Sequence, residues 1–181
     1  MTSKLYIYDQ SSEIDRDQAA GRFDDDDDVL TIGVSLGVKN LMKVFDQLLG
    51  SHQTFNRVVI QTHGGPGKIY FGDEFVDANV WKGSFYGLNY EKLFPKFTRM
   101  YFDGCNVAAG GAGTNFLIAA GYVFLGSGGG DAFEWKNIGL GLPGWLPGIG
   151  GHTVHFGGSD NFKRIRFFKG GGINWPDSFV H

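Results

Sequence analysis

Short apolar runs alternate with helical periodicity through the first two thirds of this chain, and this alternation limits the folds that it can adopt. The run Val29–Val34 has the length of a buried strand, and residues 38–49 repeat apolar side chains at the spacing of an amphipathic helix. Two further apolar runs, at 57–62 and 97–103, predict strands. Strands that alternate with helices pack into an α/β domain with a mostly parallel sheet and flanking helices.

Smaller elements are expected around this frame, and we assign no strand before Val29. The turn Gly65-Pro66-Gly67 predicts a hairpin that continues into a strand at 68–71. The other predicted elements are helices at 90–94 and 113–120, a strand at 122–125, and late strands at 153–156 and 164–168 that form an antiparallel edge. All of them belong to a single domain, 1–181, with a core at about 29–130 and a glycine-rich C-terminal part at 131–181.

Composition excludes several classes of function. The single cysteine, Cys105, cannot form an internal disulfide or a cysteine-rich zinc site, and the five histidines lack a zinc-binding spacing, so we expect no metal. The net charge of −3 and the lack of a basic patch argue against a nucleic-acid partner. Without a long apolar run or a signal-peptide pattern, the sequence predicts no membrane span and a cytoplasmic protein, with leaderless secretion as the alternative.

Glycine is unusually abundant, with 30 residues of which two thirds lie in the second half of the chain. Two glycine-rich stretches imitate nucleotide-binding loops, but neither meets the full pattern. A phosphate-binding loop ending in Gly67-Lys68 would need glycine where Thr62 stands, and the match at 139–144 does not follow a clear strand. We therefore interpret part of the glycine excess as loops that border a different kind of site.

Polar residues follow two of the predicted strands at the point where each strand ends. His63 and Gly64 follow the strand at 57–62, and Cys105 follows the strand at 97–103. Because the carboxyl ends of parallel strands meet at one edge, neighbouring strands would bring His63 and Cys105 together. The imidazole could then take the thiol proton, and the N–H groups of Gly64 and Cys105 could form an oxyanion hole. The residues alone leave two alternatives open, a buried cysteine and a simple His-Gly turn.

The order of these motifs resembles the caspase-like cysteine peptidases, the clan that contains caspases, metacaspases, gingipains, separase and CHAT domains. His63-Gly64 resembles the histidine turn of the clan, and Asp103-Gly104-Cys105 resembles its nucleophile turn, with the cysteine 42 residues after the histidine. The short bacterial caspase-, gingipain- and CHAT-like domains are the members that the chain resembles most. The resemblance implies a three-layer sandwich with helices on both faces of the sheet.

The same resemblance implies a cysteine endopeptidase that acts on a peptide or protein substrate without a cofactor. Cys105 would attack the scissile carbonyl, and His63 would act as general base toward the thiol and as general acid toward the leaving amine. Two other functions remain open at this point. One is a catalytically inactive caspase-like binding module or effector domain, and the other is a cysteine hydrolase or acyltransferase with a non-peptide substrate. The sequence leaves the oligomeric state open.

Three further residues are candidates for substrate binding. Asp103 precedes Cys105 by two residues, where metacaspases, by the same resemblance, place an acid that binds a basic P1 side chain. Strand alternation puts positions 103 and 105 on the same side if the strand continues, and a buried carboxylate suits arginine or lysine. A cap of the following turn is the alternative role for Asp103. Ser127 and Asp131, after the predicted strand at 122–125, are candidates for the pocket wall.

Overall fold

A seven-stranded sheet runs through the computed structural model, which describes residues 2–12 and 28–126 and the backbone of strands at 130–135, 140–141, 153–154, 162–167 and 173–174. In chain order the strands are β1 (Thr2–Asp9), β2 (Val29–Val34), β3 (Thr54–Gln61), β4 (Gly64–Gly65), β5 (Lys68–Phe71), β6 (Glu74–Asp77), β7 (Thr98–Asp103), β8 (Gly130–Trp135), β9 (Leu140–Gly141), β10 (Thr153–Val154), β11 (Phe162–Phe167) and β12 (Ile173–Asn174). The helices are α1 (Val38–Gly50), α2 (Ala78–Ser84) and α3 (Gly110–Phe124), with a 3-10 helix at Tyr90–Lys92.

The large sheet is parallel over most of its width. Its spatial order is β2-β1-β3-β7-β8-β11-β12, in which the ladders from β2 to β8 are parallel and the last two are antiparallel. The strands β4, β5 and β6 form a separate antiparallel sheet, and β9 pairs with β10. The predicted α/β class with a mostly parallel sheet is therefore confirmed. Of the two late strands predicted at its antiparallel edge, the one at 164–168 corresponds to β11, whereas the one at 153–156 corresponds to β10 and lies outside the large sheet. Strands that lie outside the predicted core at 29–130 also belong to this sheet: β1 precedes that core in the sequence, and β11 and β12 follow it.

The N-terminal segment, to which the sequence pattern assigned no strand, forms β1, the second strand from one edge of the sheet. It lies between β2 and β3, with Leu5 in register with both Leu30 and Val58. Leu5 and Ile7 are buried on one face, and Tyr6 and Tyr8 are buried on the other. A strand buried on both faces shows no alternation of apolar and polar residues, and β1 offers only four apolar residues in a row, so its pattern is easily missed.

The strand predicted at 122–125 is wrong, because α3 continues through this segment to Phe124. Buried side chains at Phe116, Leu117, Ala120 and Phe124 follow helical spacing. The backbone N–H of Leu125 donates to the carbonyl of Gly121 at 2.7 Å, so this glycine does not end the helix. The parallel strand after α3 is β8, which begins at Gly130.

All three described helices cover the same face of the sheet. Their buried side chains belong to one cluster with the sheet residues Leu5, Ile7, Val58, Ile60, Met100 and Phe102. The other face carries a smaller cluster around Tyr6, Tyr8 and Val59. The residues that the structure describes thus form two layers, and the predicted second layer of helices is not found among them.

Aromatic rings fill the main core and fix α3 against the other helices. Phe124 lies at the centre, with ring centroids 4.9 Å from Phe45, 5.2 Å from Trp81 and 4.7 Å from Tyr90. Burial, and secondly the carboxylate of Asp46, raise the pKa of Tyr90 well above its ordinary value. Large-ring burial of this kind dominates core energetics and gives the sheet a rigid backing. Within the described residues, no helix has the length and apolar character needed to cross a bilayer.

Candidate active site

The carboxyl edge of β3 and β7 brings the two predicted turns together. The two strands are parallel neighbours, and Gln61 at the end of β3 is in register with Asp103 at the end of β7. The backbone N–H of Thr62 donates to the carbonyl of Asp103 at 3.2 Å, which extends the ladder by one residue. His63 and Cys105 each lie two residues beyond the last register pair. The predicted neighbourhood of these two residues is therefore present in the fold.

The backbones of the two turns are in direct contact at Gly64. A methyl group added to Gly64 would lie 2.7 Å from the carbonyl oxygen and 2.9 Å from the nitrogen of Cys105. A methyl group added to Gly104 would lie 3.3 Å from the Cα of Gly64 and 3.2 Å from the carbonyl oxygen of Thr62. Glycine at both positions lets the histidine turn and the cysteine turn approach more closely than any side chain would allow.

The segment after Cys105 is held in place by its neighbours. Val107 is fully buried, and its carbonyl accepts a hydrogen bond of 2.9 Å from the N–H of Gly67 in the turn between β4 and β5. Asn106 has a φ of 59°, a left-handed conformation that asparagine tolerates better than most residues. This conformation reverses the chain directly after Cys105, so that the residue lies in a sharp turn between β7 and α3.

Backbone N–H groups are available beside Cys105. The N–H of Tyr70 donates to the carbonyl of His63 at 2.9 Å, which makes these two residues a hydrogen-bonded pair across the hairpin. Since antiparallel pairs alternate, the next pair, Gly64 with Ile69, is a non-hydrogen-bonded one, and the N–H of Gly64 stays outside the ladder. The N–H of Cys105 likewise donates no hydrogen bond to the described residues. Within residues 2–12 and 28–126, both predicted oxyanion donors therefore remain unused.

The reactive side chains themselves are accessible. The imidazole of His63 is exposed, and the thiol of Cys105 is half-buried and not in a disulfide. Within residues 2–12 and 28–126, neither side chain is hydrogen-bonded to another residue. Catalytic hydrogen bonds often tighten only when substrate binds, so this arrangement is compatible with general-base activation of the thiol.

Asp103 lies beside Gln61 in a buried polar pair at the end of the sheet. The two residues are register partners, so their side chains project from the same face, and they are only 5% and 8% exposed. The side-chain oxygen of Gln61 is buried and has no hydrogen-bond partner among the described residues. β7 ends at Asp103, so the alternation expected to put positions 103 and 105 on one side does not extend to Cys105. Gln61 was not predicted as part of the site, although its place beside His63 in the sequence offered a signal.

Of the other two candidate substrate-binding residues, the one that the structure describes is not brought to this edge. Ser127 lies outside the residues that the structure describes. Asp131 is the second residue of β8 and pairs with Arg99 near the start of β7. Arg99 lies four residues before Asp103, which is about 13 Å at the rise of a strand. Asp131 therefore lies at the amino end of the strands, away from Asp103. The prediction assumed that a strand ends before Asp131, whereas β8 begins only one residue before it, at Gly130.

A buried carboxylate that the sequence did not single out connects the sheet to the hairpin. Asp9, at the carboxyl end of β1, is only 2% exposed. One of its oxygens accepts hydrogen bonds from the backbone N–H and the hydroxyl of Ser11, and the other accepts one of 3.2 Å from the N–H of Gly72. Gly72 begins the turn between β5 and β6, so Asp9 holds the hairpin that follows His63.

Replacing Asp9 by asparagine is expected to lower the free energy of unfolding by about 1–3 kcal/mol, because an NH2 group would then face backbone donors in a buried position. For a chain of this size the melting temperature should fall by about 2–4 °C for each kcal/mol. Differential scanning calorimetry of Asp9→Asn measures this fall in melting temperature. Asp73→Asn is the control, because Asp73 lies in the turn that begins at Gly72 and is exposed. Equal melting temperatures for the two variants would contradict this role.

Residues 2–12 and 28–126 contain no group of three or more His, Cys, Asp or Glu side chains that could hold a metal ion. A groove at the opposite edge of the sheet is lined by Leu48, Leu49, His52, Gln53, Lys92 and Leu93. It contains none of the predicted site residues.

No protein-family model and no curated protein matches the sequence. The function of the chain is therefore inferred from the paired turns at the carboxyl edge of β3 and β7.

Proposed function

We propose that the chain is a cysteine endopeptidase with a caspase-like fold, in which His63 and Cys105 form the catalytic dyad. The observation that carries this proposal is the backbone contact between Gly64 and Cys105. It holds a cysteine, a histidine and two N–H donors that no described residue uses at the edge of the sheet where ligands bind to α/β folds. These are the groups that acyl transfer through a thioester requires.

The proposed reaction has two steps. The imidazole of His63 takes the proton of the Cys105 thiol, and the thiolate sulfur forms a bond with the scissile carbonyl carbon. The N–H groups of Gly64 and Cys105 stabilise the resulting oxyanion, and His63 returns the proton to the nitrogen as the C–N bond breaks. Water then adds to the thioester with His63 as base, which releases the acid product and restores the thiol.

The order of elements supports the caspase-like assignment. The chain runs through β2, α1, β3 with the His63 turn, the hairpin, α2, β7 with the Cys105 turn, α3 and β8. From β2 onward this is the sequence of elements that the resemblance implies, whereas β1 precedes it and was not expected. The sheet is parallel from β2 to β8. A second helical layer, which would complete the three-layer sandwich, remains part of the proposal.

The proposed substrate has a basic side chain at P1, immediately before the scissile bond. Asp103 is a buried carboxylate two residues before Cys105, and the side-chain oxygen of its register partner Gln61 is a second acceptor. A guanidinium or ammonium group would be attracted by the carboxylate, and an arginine could use both acceptors.

A panel of fluorogenic peptides that differ only in the P1 residue tests the proposal. Wild type should cleave the Arg and Lys peptides and leave Asp and Ala peptides uncut, and Cys105→Ala should lower the rate by at least about a thousandfold because the nucleophile is lost. Asp103→Asn should weaken the preference for a basic residue while the thiol stays reactive. Equal cleavage by wild type and Cys105→Ala would remove the peptidase assignment.

A catalytically inactive binding module is the second candidate, favoured by the absence of a hydrogen bond between His63 and Cys105 in the described chain. Iodoacetamide labelling at pH 6 separates the two functions. Rapid labelling of Cys105 indicates a thiolate activated for catalysis, whereas labelling no faster than that of a free cysteine indicates the binding module.

A further inference from the structure

Three side chains on the outer surface of the hairpin form a compact group, the hairpin patch, made of Lys68, Tyr70 and Phe75. The ammonium of Lys68 lies 5.4 Å from the ring centroid of Tyr70 and 5.2 Å from that of Phe75. The two rings are 6.5 Å apart in an edge-to-face arrangement. Both distances from the ammonium are within the range of a cation–π interaction, so the rings hold the positive charge in a defined position.

The patch presents a positive charge without a negative partner in the described residues. The register partner of Lys68 across the hairpin is Asp77. The carboxylate of Asp77 caps α2 instead, and accepts hydrogen bonds of 2.8 and 2.9 Å from the N–H groups of Asn79 and Val80. Lys68 forms no ion pair with the residues that the structure describes. Phe75 is 46% exposed, so an apolar surface lies beside the charge.

The patch adjoins the catalytic turn on the side of His63. A methyl group on Gly65 would lie 3.5 Å from the Cε of Lys68 and 3.7 Å from the hydroxyl of Tyr70. The backbone of Tyr70 also binds the carbonyl of His63. On the opposite side of β5, Ile69 is fully buried in the main core and anchors the hairpin.

The chemistry of the proposed reaction says which part of a substrate reaches this patch. His63 gives its proton to the leaving amine, so the chain segment that departs must lie on the imidazole side of the scissile carbonyl. The hairpin continues directly from His63 in the chain, and the patch lies against Gly65, two residues after it. A carboxylate in the leaving segment would meet the ammonium of Lys68, and its aliphatic or aromatic neighbours would contact Phe75.

We propose that the hairpin patch binds the leaving segment of the substrate and selects segments that carry an acidic residue. This proposal rests on the peptidase function proposed above and specifies its substrate further. A lysine at the rim of a site contributes modestly, because a solvent-exposed ion pair is screened by water and salt.

Two peptides test the patch, both with the same arginine before the scissile bond and either Asp-Asp or Asn-Asn within the segment after it. Wild type should cleave the acidic peptide with a kcat/KM about two- to fivefold higher at low ionic strength, and the difference should shrink in 0.5 M NaCl. Lys68→Met should abolish the preference, and Lys68→Glu should reverse it. Lys92→Met is the matched control, because Lys92 lies in the groove at the opposite edge of the sheet, and it should keep the preference.

Different outcomes of this experiment would overturn the patch proposal and the peptidase proposal. If wild type cleaves both peptides equally, or if Lys68→Glu still prefers the acidic one, the patch proposal is overturned while the peptidase stands. If wild type cleaves neither peptide, the peptidase proposal fails. The patch proposal is then tested by the binding of the same peptides to the Cys105→Ala protein, measured by fluorescence anisotropy. Tighter binding of the acidic peptide that is lost in Cys105→Ala with Lys68→Met supports the patch, and equal affinities overturn it.

Discussion

Replacement of His63 by asparagine is expected to lower kcat/KM for peptide cleavage by about a hundred- to ten-thousandfold, because the thiol of Cys105 loses its general base and the leaving amine loses its acid. The loss should be accompanied by slower alkylation of Cys105 at pH 6, since the thiolate is the reactive form of cysteine. Steady-state kinetics on the Arg peptide and iodoacetamide labelling followed by mass spectrometry measure the two effects. Both are needed, because a loss of cleavage alone would also follow from a distorted substrate site.

His52→Asn provides the matched control for this change. His52 lies at the opposite edge of the sheet and has a φ of 58°, a conformation that asparagine accepts. The same chemical change therefore occurs there without backbone strain and away from Cys105. If His52→Asn and His63→Asn lower cleavage equally, or if His63→Asn leaves both cleavage and labelling unchanged, His63 is not the base.

The neighbourhood of His63 and Cys105 could be predicted from the sequence because it depends on strong local signals. The strands β3 and β7 are apolar runs of strand length, and a polar turn follows each. The rule that parallel strands end at one edge then needs only one further fact, that the two strands are neighbours. Hydrophobic periodicity also predicted β2 with its observed bounds and α1 to within one residue at its end.

The remaining features depend on contacts between distant parts of the chain. Asp9 binds Gly72, 63 residues away, and nothing in the local sequence of β1 indicates that partner. The helical course of 122–124 was missed because tertiary packing of Phe124 among other rings decides it, whereas aromatic residues by themselves favour a strand. The role of Val107 beside Gly64 is likewise visible only when the two turns meet.

Replacement of Gly64 by alanine is expected to have a large effect on activity although it leaves the reactive side chains intact. The added methyl group would lie 2.6 Å from the Cγ2 of Val107 and closer than 3 Å to both the carbonyl oxygen and the nitrogen of Cys105. A flexible side chain could move away, but the Cys105 atoms belong to the backbone, and Val107 is fully buried. The two turns must therefore separate. Overpacking of this kind costs about 1–3 kcal/mol in stability.

Separation of the turns should lower activity far more than stability. A displacement of about 1 Å between catalytic groups can cost about a hundredfold in rate, because the imidazole, the thiol and the oxyanion donors are no longer aligned. We expect kcat/KM on the Arg peptide to fall by about that factor in Gly64→Ala, measured under conditions where calorimetry shows the variant to be folded. The substitution affects His63 and Cys105 only through the backbone, so its effect reports their alignment.

Alanine variants at two neighbouring glycines, Gly65 and Gly104, allow the loss of activity in Gly64→Ala to be compared with smaller steric clashes. A methyl group at Gly65 would make its closest contact at 3.5 Å, which is ordinary packing, whereas one at Gly104 would meet Val107 at 3.0 Å and Thr62 at 3.2 Å. Activity should therefore decrease from Gly65→Ala, which stays near wild type, through Gly104→Ala to Gly64→Ala. An order that follows melting temperature instead of these contact distances would mean that general destabilisation causes the loss. If all three variants cleave like wild type, the close approach of the two turns is not required for the reaction, and the contact between Gly64 and Cys105 loses its role as the basis of the peptidase assignment.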